Sequence, residues 1–364
     1  MHNPRHRWRA CYDQRNRSAR PESSGVGWIS LWHRWTVPKP IKDFLEIDEQ
    51  ISRLRSRGMS FSARSDALRW LTAVNYYRLS GYSYPYRQIL PSDGGRSRRR
   101  SDHFVRGTSF DSITALYEFD RKLRSLVLDG LERVEVAVRS TVSHHLGRQN
   151  PLAHEDPALF RPTFDHASWW RTAERRLSRA RRHSEFVKHH EQEYGGKVPI
   201  WVLVEVLDFA DVSRLYDDML TVDQYAAAES LGIRVDTSIL SKSQRAKALK
   251  GHPFARWLEQ LTVVRNTAAH HGRLWNHKFP PVSTAAFRTL PGLEDLPDGQ
   301  SERLYGALCM IAFELRTLSP GSKWPTKVSR LIRQDLRSIP GRTETEMGFP
   351  DRWEQQVLWR PYSS

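Results

Sequence analysis

A chain of 364 residues with a formal charge of +16 and a sequence pI of about 10.1 can bury a large core and suits a polyanionic partner such as nucleic acid. Its 2 cysteines, Cys11 and Cys309, are too few for a disulfide framework or a thiolate zinc site and fit a reducing cytoplasm. No apolar run approaches the roughly 18 residues of a membrane helix, and the Arg-bearing start lacks the apolar stretch of a secretory leader, so a cytoplasmic protein is expected.

Residues 1–37 mix Arg, Ser, Gly and Trp without periodicity and read as a basic disordered arm. Pro38 and Pro40 lead into a folded domain expected over 38–320. Ile47, Ile51 and Leu54 mark a short helix closed by Gly58; Leu68, Leu71 and Val74 mark a second from about Ser65. From Asn75 to Arg87, tyrosines alternate with Arg78 and Arg87. Their rings either stack on bases or pack into the core with their hydroxyls bonded. Residues 91–103, with the run Arg98-Arg99-Arg100, read as a loop. The longest helical stripe then runs from Thr108 to about His145 through Ile113, Leu116, Tyr117, Leu123, Val127, Leu131, Val134, Val138 and Val142. Thr108 or Ser109 caps it, Gly130 is a candidate bend, and Glu132, Glu135 and Arg139 fall off the stripe.

One helix is expected from His166 to His190, carrying Arg171, Arg175, Arg176, Arg179, Arg181 and Arg182, with Trp169 and Trp170 read as core rather than as base-stacking rings. Ile200 to Met219 reads as a single buried helix, 221–252 as short helical pieces, and 280–297 as a Pro-rich connection before a helix over 301–318. The tail, 321–364, is expected to pack on the domain through a short helix near 325–336 and the closing Trp353 and Trp359. No segment sustains period-two alternation, so the expected fold is all-α.

The stretch that organises the rest is residues 254–271. Trp257, Leu258, Leu261, Val264 and Ala268 recur at helical spacing and cluster on one arc at about 100° per residue. Arg265 lies at the edge of that arc. Asn266 and His270, four apart, share the exposed side, while His271 turns back toward the apolar arc. Gly272 comes next as the expected left-handed residue that ends the helix. Arg273, Trp275, Asn276, His277 and Lys278 extend a basic, aromatic surface.

No metalloprotease helix, nucleophile elbow, phosphate loop or dinucleotide fingerprint occurs. The pairs His144-His145, His189-His190 and His270-His271 are helix neighbours that point apart, so no metal site and no cofactor are expected. A basic all-α chain with one Arg-Asn-His helix suits phosphodiester chemistry. An imidazole moves a proton near neutral pH, and a guanidinium holds a phosphate with a fork of donors.

These residues meet a known family. The chain resembles the bacterial abortive-infection (Abi) proteins of the AbiD/AbiF-like type over about residues 38–360. The resemblance rests on Asn75-Tyr76-Tyr77-Arg78-Leu79-Ser80-Gly81-Tyr82, on Leu116 to Arg124, on Leu131 to Arg139, on Pro199-Ile200-Trp201-Val202 with Glu205 to Phe209, and on Arg265-Asn266 through His270-His271 with Arg273-Leu274-Trp275-Asn276. Thr267-Ala268 stand where the family often has an apolar residue and Cys, and Gly272 where Ser is common. The family is similar to the HEPN superfamily. That resemblance implies a helical bundle with added terminal helices, a two-fold homodimer, and a metal-independent ribonuclease motif falling on Arg265, Asn266 and His270. It also implies RNA as substrate or as a small structured partner. Candidate RNA contacts are Arg78, Arg171, Arg175, Arg176, Arg179, Arg182, Arg273, Trp275 and Lys278. Two functions are therefore expected: a phage-defence RNA endonuclease, or a non-catalytic defence or toxin-antitoxin component that holds a structured RNA.

Overall fold

One helix, α4 (Phe110–Gln149), threads the middle of the protein and touches most of the others. The computed structural model describes residues 41–91 and 99–360; the arm expected over 1–37, Pro38, Pro40 and Arg98 lie outside the described residues. Ser109 caps α4 by accepting the Ser112 N–H at 3.1 Å, and Asp111 complements the positive end of the helix dipole. Of the expected stripe, Tyr117 is half-buried, while Ile113, Leu116, Leu123, Val127, Leu131, Val134, Val138 and Val142 are buried. Each contributes on the order of 1.5–3 kcal/mol relative to exposure. Gly130, the candidate bend, lies within an unbroken helix. A Cβ there would meet Ile311 Cγ2 at 2.5 Å and Trp324 Cε2 at 2.9 Å, so the missing side chain lets two later helices close on α4.

Around it stand α1 (Ile47–Ser56), α2 (Arg64–Val74), α3 (Tyr76–Ser83), α5 (His166–Ala180), α6 (Glu185–Glu193), α7 (Ile200–Val206), α8 (Phe209–Asp218), α9 (Thr221–Ser230), α10 (Lys242–Lys250), α11 (Phe254–Ala269), α12 (Leu304–Leu318) and α13 (Trp324–Leu331), the last continued by a π turn over Ile332–Leu336. The chain from Leu45 onward forms one compact unit in which α11 packs on α8, α4 and α12. The bundle is mostly helical, as the sequence implies. Two small antiparallel ladders were not anticipated: β1 (Arg87–Ile89) with β2 (Arg100–Phe104), and β3 (Val282–Ser283) with β4 (Gln300–Ser301). Among the described residues no helix is long and apolar enough to cross a membrane.

Two expected helices are each split. Between Leu177 and Val187 no residue is buried, and the chain turns over Arg181–Ser184, separating α5 from α6. Asp208 and Asp211 form a reciprocal capping box that starts α8 afresh after Leu207, dividing the 200–219 segment. The tail ends in an aromatic cluster. Phe349 lies 4.6 Å from Tyr305 and 4.8 Å from Trp353, and Trp353 lies 5.5 Å from Trp359, centroid to centroid.

Candidate functional site

The apolar arc of α11 is buried as its spacing dictates: Trp257, Leu258, Leu261, Val264 and Ala268 are at most 1% exposed. The helix stops at Ala269, two residues earlier than expected. His270 is the cap, and its N–H still reaches the Asn266 carbonyl at 3.0 Å. His271 then takes a left-handed backbone at φ +59°. Its N–H bonds the Ala268 carbonyl at 3.0 Å, and the Gly272 N–H bonds the Thr267 carbonyl at 2.7 Å. This is a Schellman ending with histidine in the place usually given to glycine. Gly272 serves a different purpose from the one expected: a Cβ on it would sit 2.8 Å from Thr267 Cγ2. Both His270 and His271 are exposed, so the expectation that His271 turns into the apolar arc is corrected. The chain reverses before the helical phase can carry it inward.

Arg265 sits at the edge of the arc with its side chain 37% exposed. Its Nε lies 3.3 Å from a carboxylate oxygen of Glu135 on α4, and its Nη1 donates to the Asn266 side-chain oxygen at 3.2 Å. The other Glu135 oxygen accepts from Arg139, whose guanidinium also donates to the carbonyls of Val204 and Leu207 at the end of α7. Arg265, Glu135 and Arg139 thus form a row in which one largely buried carboxylate orients two guanidiniums. Because Glu135 is shared, Arg265 keeps unsatisfied donors facing out, beside Asn266 and near the helix end that carries His270.

A second carboxylate fixes the segment that leaves α11. Asp120 is fully buried. It accepts from the Trp275 N–H at 2.7 Å, the Leu274 N–H at 3.2 Å, the Tyr82 hydroxyl at 2.7 Å and Arg124. Burial pushes the Asp120 carboxyl above its ordinary value, against the pull of Tyr82, the Trp275 N–H and Arg124. Burial and the neighbouring Asp120 charge push the Tyr82 hydroxyl up as well. The reversal after α11 is braced further by Arg78, which donates to the His271 carbonyl at 2.6 Å, and by Arg273, which donates to the Gly81 carbonyl. Asn75 caps α3 through the Arg78 N–H at 3.0 Å and so sets where that guanidinium begins.

The expected RNA contacts separate into groups. Trp275 is fully buried with Arg342 over its ring at 5.6 Å, so no base reaches it, and its expected contact role is corrected. Arg176 is committed to Asp208 and, at 3.1 Å, to Asp211; Lys278 is paired with Glu302 at 2.6 Å. Arg78 and Arg273 act as braces. Arg171, Arg175, Arg179 and Arg182 stand exposed along α5 and its end. Of the tyrosines over 76–86, Tyr82 and Tyr86 are buried, whereas Tyr77 is 86% and Tyr84 47% exposed. Among the described residues no three His, Cys, Asp or Glu side chains converge as a metal site would require.

Sequence reasoning assigned no role to Glu135, Arg139, Asp120 or Arg124. Their signal was present as two acid–base pairs at i, i+4, Asp120/Arg124 and Glu135/Arg139, on a helix whose apolar stripe they interrupt or flank. Comparison with known proteins gives no match among curated proteins and none among solved structures. Residues 69–276 match the family described as Abi-like protein. The match begins in α2, spans α3, α4 and α11, and ends just past Trp275, so it takes in both carboxylate clamps and the Arg265 to His270 helix end. As the match covers more than half of its length, the chain belongs to the Abi-like protein family, the abortive-infection proteins of phage defence.

Proposed function

We propose that the chain is an RNA endonuclease of phage defence that acts through Arg265, Asn266 and His270 in a two-fold homodimer. The observation that carries this reading is an exposed imidazole at the end of α11 together with an outward guanidinium oriented by Glu135 and Asn266. The 2′-hydroxyl oxygen of RNA attacks the adjacent phosphorus. The P–O2′ bond forms, the P–O5′ bond breaks, and the products end in a 2′,3′-cyclic phosphate and a 5′-hydroxyl. His270 of one protomer takes the 2′ proton and, once protonated, gives a proton to O5′. Arg265 stabilises the charge that grows on the phosphoryl oxygens, and Asn266 holds its fork in place. Five residues at about 100° each put Arg265 and His270 some 140° apart around the helix axis, so a facing copy completes each site.

Single-turnover cleavage of end-labelled RNA in EDTA tests this. Wild type cuts, Arg265→Ala and His270→Ala each lose about 10²–10⁴ in rate, and a mixture of the two mutants regains part of the activity after subunit exchange. If neither mutant alters the rate, the site is elsewhere; if mixing restores nothing while both mutants fold and bind RNA, the shared site fails.

One observation favours a second reading. Four guanidiniums without an ion pair among the described residues, Arg171, Arg175, Arg179 and Arg182, line one exposed face and can hold phosphates without any chemistry. In that case RNA binds tightly and stays whole. Each single-strand phosphate contact adds about −0.7 to the slope of log K against log salt, and Arg175→Ala, Arg179→Ala and Arg182→Ala together flatten that slope.

A further inference from the structure

Among the described residues a cleft opens beside α5. It has a volume of about 740 Å³ and lies between the outward face of α5, the turn at Ala153–Glu155 and the segment from Gly196 to Val198. Its α5 wall carries Trp170, Arg171, Glu174, Arg175 and Ser178, with the buried Leu177 also lining it, while Trp169 and Ala173 turn into the core.

Three features give this cleft a chemical preference. First, Trp170, expected as a core residue, packs against the core without being fully covered by it. It is only half-buried and lines the cleft. Its ring is backed by the His154 ring at 5.3 Å and flanked by the Trp169 ring at 6.4 Å, so its position is fixed without a ligand. Burial pushes His154 down to about 4, which leaves an uncharged ring behind the indole. Second, the guanidiniums at the cleft differ in availability. Arg181 is paired with Glu191 at 2.6 Å, whereas Arg175 reaches only the Thr172 hydroxyl at 3.0 Å and Arg171 has no ion pair among the described residues. Third, Arg171 and Arg175 are one helical turn apart and one and five residues beyond Trp170, which sets an apolar ring and two available cations on the same wall. A rigid aromatic surface beside two available guanidiniums is the pairing that base and phosphate require together. The volume lies within the usual range of small-molecule sites, roughly 300–1,000 Å³, and exceeds what a lone phosphate needs.

We infer that the α5 cleft is a nucleotide-binding site, taking an aromatic base against Trp170 and its phosphate on Arg171 and Arg175. The inference stands whether or not the chain cleaves RNA. The nucleotide comes from one of two sources, a free nucleoside phosphate or a nucleotide within a single-stranded RNA.

Equilibrium binding of four probes tests it: adenosine, inorganic phosphate, AMP and a tetra-adenylate. All are measured on the full chain carrying His270→Ala, so that no probe is consumed. AMP or the tetranucleotide binds at least tenfold more tightly than adenosine or phosphate alone. Arg171→Ala with Arg175→Ala, both at exposed positions that leave the core intact, removes that advantage. Trp170→Leu weakens binding at least about fivefold, the lower end of what one stacked base provides, and Trp170→Phe retains most of it. A melting curve for each variant confirms folding, and the double arginine variant alone decides the matter if Trp170→Leu unfolds. AMP binding identifies a free nucleotide as ligand, and binding of the tetranucleotide alone identifies a strand. Binding of neither, equal binding of all four probes, or binding untouched by the double arginine variant overturns the assignment. Because no arm reads cleavage, a failed endonuclease and a failed cleft give different results.

Discussion

Glu135 on α4 lies 3.3 Å from Arg265 on α11, and through its second oxygen it also holds Arg139. The candidate phosphate-binding guanidinium is therefore aimed by a carboxylate from another helix. Replacing Glu135 with Gln keeps the shape but removes the charge that orients both arginines. Glu135→Gln should lower cleavage by about tenfold or more while costing about 1–3 kcal/mol of stability, less than the roughly 3–5 kcal/mol of leaving a fully buried charge unpaired. Chemical denaturation beside single-turnover kinetics checks it. Unchanged cleavage at reduced stability would make Glu135 a purely structural link.

His270 and His271 should differ in kind. His271→Gly relieves the left-handed backbone at φ +59° and should raise stability by about 0.5–1 kcal/mol, with cleavage retained. His270→Ala, at an exposed cap, should change stability by under about 0.5 kcal/mol and remove cleavage. Thermal melts and cleavage assays on both variants are sufficient. A destabilised His271→Gly would mean that the ring contributes a contact beyond its backbone role.

Asp120 ties the segment after α11 to α3 and α4. Asp120→Asn forces one side of the amide to meet donors with a donor, because the backbone N–H groups of Leu274 and Trp275, the Tyr82 hydroxyl and Arg124 all point at the carboxylate. A loss of about 3–5 kcal/mol is expected, with Tyr82→Phe costing about 1–2 kcal/mol. In hydrogen exchange, the amides of Leu274 and Trp275 should lose protection first in Asp120→Asn. Protection equal to wild type would show that Arg78 and Arg273 suffice to hold the reversal.

Glu314, on α12, is fully buried, and neither carboxyl oxygen has a hydrogen-bond partner among the described residues. Burial pushes it up to about 8 from its ordinary 4.5. Above that ordinary value the unfolded chain has released a proton that the folded chain still holds. Stability from this group therefore falls as pH rises from about 4.5 and is lost by about 8, a loss on the order of a few kcal/mol. Glu314→Gln, which cannot titrate, should flatten that limb in urea melts taken between pH 5 and pH 9. An identical slope in the variant would assign the pH dependence to other groups.

The helices were legible wherever a single face is buried, because apolar spacing near 3.6 is a local property of the chain. The stripes from Ile113 to Val142 and from Trp257 to Ala268 appear in the structure with the same residues buried, Tyr117 only half so. Arg265, Asn266 and His270 were likewise identifiable as a group, since all three lie within two turns of one helix. Local spacing failed where the chain's path depends on end chemistry or on partners far away in sequence. Asp208 and Asp211 break a run that reads as continuous, and the Schellman turn at His271 ends α11 before helical phase brings that ring inward. Trp275 looked like part of a basic surface because its neighbours are polar. It is buried because its N–H, 155 residues from Asp120 in sequence, bonds that carboxylate. Asp120 and Glu135 could be seen as charges near an apolar stripe, but which residues they hold is set by α3, α7 and α11 packing against α4. A carboxylate acquires a partner only when burial removes water as the competing one, and burial is a tertiary property.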